Sequence, residues 1–115
     1  MVRSSIITVC LLAVSAPAQP VSYWDATHSQ HQTYFTQYSG LGYRVRSLSV
    51  YGSSSNPRYA AVWVQESGPN YKGFHGKTAN EYQTLVNTHG AQGYRPTIVT
   101  VTGSGSSAVF AGILE

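Results

Sequence analysis

The chain has 115 residues, of which 12% are aromatic and only 10% are charged, and its formal net charge is +3 at pH 7. The basic residues beyond Arg3 are scattered along the sequence among four acids, which excludes the dense basic patch of a nucleic-acid-binding domain. The single cysteine excludes a framework of internal disulfides, and the length is that of one domain.

The first 18 residues are typical of a secretory signal peptide. Arg3 supplies a positive start, residues 6–14 form an apolar run, and Ala16-Pro17-Ala18 has the small residues of a cleavage site. The run is too short to span a membrane, and a buried N-terminal helix is the alternative. We therefore expect cleavage after Ala18 and a secreted, extracellular domain of residues 19–115 that contains no cysteine.

The remaining sequence contains an internal repeat with a period of 51 residues. Residues 23–64 align without a gap on residues 74–115, and a loop of residues 65–73 joins them. Gly-Tyr-Arg, for example, occurs at 42–44 and again at 93–95. An ungapped series of matches over both stretches indicates a duplication within one domain.

Each copy begins with a predicted helix. Thr27 and Thr78 each stand three residues before a Gln or Glu, which is the spacing of a capping box. Apolar and ring side chains then recur at helical spacing. They are His31, Tyr34, Phe35 and Tyr38 in the first copy and Tyr82, Leu85, Val86 and His89 in the second. Glycines that follow both helices favour their ends, because the left-handed conformation is easily reached only by glycine.

Two strands follow each helix. Residues 43–51 and 94–102 are rich in β-branched side chains and alternate between apolar and polar positions. Turns rich in serine and glycine lead to closing strands over 58–65 and 109–115. The order α-β-β-α-β-β predicts an α+β domain with an antiparallel sheet on which two helices pack. Because the closing strands are apolar on both faces, we expect the sheet to close on itself or to be completed by a homodimer.

The order of these motifs resembles a known family. The recurring unit is Gly-Tyr-Arg after a helix, a strand that ends in glycine, and Pro57-Arg-Tyr-Ala-Ala-Val-Trp63. The connecting unit is Gly68-Pro69, an aromatic spacer, His75-Gly76 and then Tyr82. Together they resemble the structural repeat of polyglycine hydrolases, which are secreted fungal serine proteases, and of related bacterial tandem-repeat proteins. In that family the repeats precede a β-lactamase-like catalytic domain, so the resemblance implies a secreted repeat module that recognises protein or serves as a structural unit.

The catalytic motif of the resembled family is missing from this sequence. A β-lactamase-like site needs Ser-x-x-Lys, in which the lysine helps to activate the serine, and this tetrapeptide does not occur. We therefore predict that the chain is not itself an enzyme, that it has no catalytic residues and that it needs no cofactor. Two alternatives stay open: a fragment or degenerate relative of a polyglycine-hydrolase-type serine protease, and a carbohydrate-binding module.

Histidines are the first candidates for a binding site. His75 could act as a ligand or base, although an inter-repeat turn in which it bonds the backbone ahead of Thr78 is the simpler interpretation. His28 and His31 have the spacing of a metal-binding pair on a helix. No second pair of ligands follows at a recognised spacing, so we predict no metal site.

Arginines and unmatched aromatic residues complete the set of candidates. Arg44 and Arg95 occupy one repeat position, where they could bind an anion or, as we favour, cap the preceding helix. Tyr51 and Tyr71 have no aromatic counterpart in the other copy, and Trp24 stands where the second copy has His75, so all three are candidates for surface recognition. The partner that we expect is an extracellular protein, and neither nucleic acid nor a membrane.

Overall fold

The structure, a computed structural model, describes residues 18–115, so the predicted signal peptide lies outside the described residues except for Ala18. In repeat one, strand β1 spans Val21–Ala26, helix α1 His28–Gly40, strand β2 Tyr43–Tyr51 and strand β3 Arg58–Gln65. In repeat two, strand β4 spans Lys72–Lys77, helix α2 Ala79–Gly90, strand β5 Pro96–Thr102 and strand β6 Val109–Leu114. Neither helix in this part of the chain is long and apolar enough to cross a membrane.

The predicted helix ends are confirmed at the level of individual hydrogen bonds. Thr27 and Thr78 are the N-caps of α1 and α2, and each forms a complete capping box with the residue three positions later. The hydroxyl of Thr78, for example, accepts from the Glu81 backbone N–H at 3.1 Å. After the helices, Gly42 and Gly93 have φ values of 85° and 95°, which side-chain-bearing residues rarely adopt. Two tandem repeats in an α+β fold are therefore confirmed.

Each repeat has one strand more than the sequence pattern predicts. Strands β1 and β4 lie just before the helices, where no strand was predicted, and β4 begins within the predicted joining loop. Both contain a bulge, at which Asp25 has φ 59° and Gly76 has φ 66°. The six strands form two antiparallel sheets of three, ordered β1-β3-β2 and β4-β6-β5, where the sequence predicted one sheet.

The two sheets pack on each other through different faces. We call the face of a sheet that carries the helix of its own repeat the front face, and the opposite one the back face. On the front of the first sheet, Phe35 of α1 packs edge-on against Trp63 at 5.1 Å between ring centroids. Ala111 and Ile113, on the back of the second sheet, belong to the same core. Repeat two therefore covers, with its back face, the part of the first front face that α1 leaves open.

This stacking explains an unequal burial of the two closing strands. Strand β6 is buried on both faces from Ala111 to Leu114, as its two-sided apolar sequence predicts. In β3 only one face is buried, and Ala60, Val62 and Val64 on the back are half-buried. The difference arises because repeat two covers repeat one, whereas the back of the first sheet faces solvent. The sheet does not close on itself within residues 18–115.

Candidate functional site

His75 lies at one end of the interface between the repeats, near the start of α1. It is on the back face of β4, not in the turn that its sequence position suggested. Its ring centroid is 4.3 Å from that of His28, 4.8 Å from that of His31 and 5.5 Å from that of Tyr59. Among the described residues, His75 Nε2 and the Tyr59 hydroxyl are buried without a hydrogen-bond partner. The ring of His75 therefore contributes to packing between the repeats.

A chain of hydrogen bonds fixes the ring of His31 against His75. Trp63 Nε1 donates to the Tyr23 hydroxyl at 3.1 Å, and that hydroxyl is 2.8 Å from His31 Nδ1. Because Trp63 donates to the tyrosine oxygen, the hydrogen of the hydroxyl is free to be donated to a neutral His31. Burial raises the pKa of Tyr23 to about 12, although the bond from Trp63 opposes that rise. His31, predicted to face the core, is indeed only 1% exposed.

Burial also determines the charge state of His31 and His75. Loss of hydration, together with smaller contributions from the nearby His75 and His28, lowers the pKa of His31 to about 3. Loss of hydration, His28 and Lys77 lower the pKa of His75 to about 4. Both rings are therefore neutral near pH 7 and are poorly matched to proton transfer there. Within residues 18–115, no three His, Cys, Asp or Glu side chains are arranged to hold a metal ion.

Arg44 and Tyr71 connect the repeats at the other end of the interface. The buried guanidinium of Arg44 donates to the Pro69 carbonyl oxygen at 2.9 Å and to Glu115 at 2.8 Å. It also lies over the ring of Tyr71, whose hydroxyl donates to the Tyr43 carbonyl oxygen at 2.6 Å. These bonds differ from the predicted helix cap, and they use the hydroxyl of Tyr71, which is half-buried, within the chain.

The other predicted binding residues are exposed. Arg95, the repeat equivalent of Arg44, is exposed, and its backbone pairs with Glu115. Tyr51 accepts a hydrogen bond from the Asp25 backbone N–H at 2.7 Å, which holds the bulge of β1. Trp24 stands on the back face of the first sheet with 77% of its surface exposed. The structure thus places His75, Arg44 and Tyr71 at the repeat interface and leaves Trp24, Tyr51 and Arg95 outside it.

Two exposed apolar residues within the sheets were missed in the sequence. Val99 and Val101, on the front face of β5, are each 47% exposed. Their repeat equivalents in β2, Leu48 and Val50, are 8% and 4% exposed because repeat two covers them. The repeat alignment pairs these residues but cannot indicate which of the two copies is covered. The front face of repeat two and the back face of repeat one are therefore the free end faces of the stack.

Comparison with known families agrees with this organisation. A family model described as "polyglycine hydrolase-like, structural repeat" matches the chain twice, over residues 17–66 and 68–115. Each match corresponds to one β-α-β-β repeat, including the strand before the helix.

Proposed function

We propose that this chain, which belongs to the family of polyglycine hydrolase-like structural repeats, is a secreted, non-catalytic module that recognises protein through its two free end faces. One observation carries the proposal. Trp24, Val99 and Val101 are exposed at repeat positions whose counterparts form the interface inside the chain. Val99 and Val101 lie next to each other on one face of β5, and adjoining exposed apolar side chains of this kind mark surfaces that bind other proteins.

The burial of the polar candidates supports the same function. Arg44 and Tyr71 use their donors within the chain, and His75 packs against rings of repeat one. The pKa values of His31 and His75 lie well below neutrality, as suits side chains that pack without charge. These residues stabilise the stack, so recognition is left to the end faces.

A cleavage assay tests the non-catalytic part of the proposal. Residues 19–115 are incubated with a peptide that copies a glycine-rich linker, and the mixture is analysed by mass spectrometry. We expect the peptide to remain intact. Cleavage that disappears in a His75→Ala variant would show that the chain is an enzyme and would refute the proposal.

N-terminal sequencing of the secreted protein should give Gln19 as the first residue.

A capture experiment tests recognition. The mature protein is immobilised and exposed to the secretome of its natural source, with Trp24→Ser and Val101→Lys as variants. Leu41→Lys is the matched control, because Leu41 is 56% exposed but lies on neither end face. The proposal predicts capture that either end-face variant loses and the control keeps. Equal capture by all four proteins would contradict it, and retention on chitin or cellulose beads would identify carbohydrate binding instead.

A further inference from the structure

We propose that the partner of the end faces is a second copy of this chain, stacked head to tail, with the back face of repeat one on the front face of repeat two. This inference rests on the proposed function, in which the end faces recognise protein. It identifies the partner from the interface that the chain already contains, where a back face covers a front face. The next copy would be placed on this chain by the same rotation and translation that relate repeat two to repeat one.

The sizes of facing side chains support this arrangement. Inside the chain, Gly73 lies so close to the Phe35 ring that an added Cβ would overlap it, and a Cβ on Gly76 would lie 2.6 Å from His28. At the end faces, the equivalents of these two glycines are Ser22 and Asp25, which carry side chains. The residues that would face them are smaller, since Phe35 is replaced by Val86 and His28 by Ala79. In both pairs, the back-face residue is larger than its counterpart inside the chain, and the front-face residue that it would contact is smaller.

Trp24 is also a larger back-face residue that would face a smaller side chain. Its repeat equivalent, His75, packs within the chain against His28 and Tyr59. The corresponding positions on the free front face are Ala79 and Phe110. Replacing His28 with Ala79 leaves room for a ring larger than imidazole. There, Phe110 already stacks on Tyr82 with centroids 5.1 Å apart and an interplanar angle of 8°, so Trp24 would join an aromatic pair.

The polar contact at the strand edges can also be repeated. Within the chain, the Val50 backbone N–H at the edge of β2 donates to Thr100 Oγ1 at 3.2 Å. The equivalent pair between copies is the Val101 N–H and the Ser49 hydroxyl, so a hydroxyl acceptor is kept. Asp25 would also lie beside Ala79 at the first turn of α2, where a carboxylate is favoured by the helix dipole.

Some contacts inside the chain have no counterpart between copies, such as the bond from the Tyr71 hydroxyl to the Tyr43 carbonyl oxygen, because the residue equivalent to Tyr71 is Pro20. Arg44 pairs with Glu115, but the residue equivalent to Glu115 is Val64, so Arg95 gains no carboxylate there. The two copies are also not joined by a linker, which within the chain raises the effective concentration of the faces. Association between copies is therefore weaker than the internal packing and depends on protein concentration. Because the two faces differ, stacking leaves one of each free and extends beyond a dimer.

Sedimentation velocity and light scattering on residues 19–115 test this inference with two complementary variants. Trp24→Ser damages only the back face, and Val101→Lys damages only the front face. We expect the mass of the wild-type protein to rise with concentration past that of a dimer. Each variant alone should associate at least about tenfold more weakly, while Leu41→Lys behaves as the wild type. Circular dichroism verifies folding, and Val99→Lys replaces Val101→Lys if the latter unfolds.

Mixing the two variants distinguishes head-to-tail from symmetric association. The intact front face of Trp24→Ser can bind the intact back face of Val101→Lys, so an equimolar mixture should give a heterodimer that grows no further. A wild-type protein that stays monomeric, or a mixture that does not associate, would overturn the inference. Since only purified chain is used, either failure leaves the capture of another protein, and with it the proposed function, to be judged separately.

Discussion

Acidification should destabilise the fold through His31 and His75. Both rings are packed between the repeats, where His28 disfavours protonation of both rings and Lys77 that of His75. Burial raises the pKa of the neighbouring Tyr23 and Tyr59, so neither supplies a negative charge at pH 7. In the unfolded chain a histidine has a pKa of about 6.5. In the folded protein the pKa is about 3 for His31 and about 4 for His75, so the native state binds fewer protons below pH 6.5. Stability is therefore complete above about pH 6.5 and falls as the pH is lowered toward 4.

The size of this effect follows from the two pKa values. At pH 5, which is about 1.5 pH units below the ordinary pKa of histidine, both histidines are almost fully protonated in the unfolded state. In the native state both are almost fully neutral at this pH. Each pH unit in this range corresponds to about 1.4 kcal/mol for each group. His31, which is almost fully buried, therefore contributes about 2 kcal/mol of destabilisation at pH 5 relative to pH 7. His75 is half-buried, and we expect solvent screening to make its share smaller.

Urea unfolding at pH 7, 6 and 5 measures this dependence. His31→Gln and His75→Gln should each be less stable at pH 7, but each should show a shallower fall in stability between pH 7 and 5. His89→Gln is the control, because His89 lies on α2 away from the interface between the repeats, and its variant should keep the wild-type slope. Equal stability of the wild-type protein at pH 7 and pH 5, or an unchanged slope in both interface variants, would refute the assignment of buried neutral histidines.

Three further predictions concern the packing of the repeats and are read out as changes in urea midpoint or melting temperature. Gly73→Ala should destabilise the protein by about 1–3 kcal/mol, because the added methyl group overlaps Phe35. Phe35→Val should relieve part of that cost in the double variant, and additive effects of the two substitutions would contradict this. Tyr71→Phe should cost about 1 kcal/mol by removing the bond to the Tyr43 carbonyl oxygen, and no loss would show that water replaces it. Thr78→Ala should cost about 1 kcal/mol through the lost cap, whereas Thr88→Ala, at an exposed position of the same helix, should cost much less.

Local signals explain why much of the fold could be predicted from the sequence. The capping boxes at Thr27 and Thr78 and the glycines after each helix are short-range patterns, and the duplication allowed each to be seen twice. Strands β1 and β4 could not be recognised in this way. Each is short and is interrupted by a bulge at Asp25 or Gly76, which breaks the alternation that identifies a strand.

The site depends on contacts that no local pattern contains. Arg44 binds Glu115 across 71 positions of sequence, which is why a helix cap looked the simpler role for it. Val99 and Leu48 are matched apolar residues, and only the packing of the sheets shows that one is exposed and the other covered. Trp24 was singled out because the copies differ there, and it is 77% exposed on an end face.

Fluorescence quenching of the two tryptophans tests most directly whether the end faces bind each other. Trp63 is fully buried and Trp24 is 77% exposed, so a soluble quencher such as acrylamide should reach mainly Trp24 in the dilute protein. Head-to-tail stacking predicts that the quenchable fraction falls and the emission shifts to the blue as the protein concentration rises. The Trp24→Ser variant, which keeps only Trp63, should show little quenching at any concentration. Quenching of the wild-type protein that stays constant over the full concentration range would contradict the account.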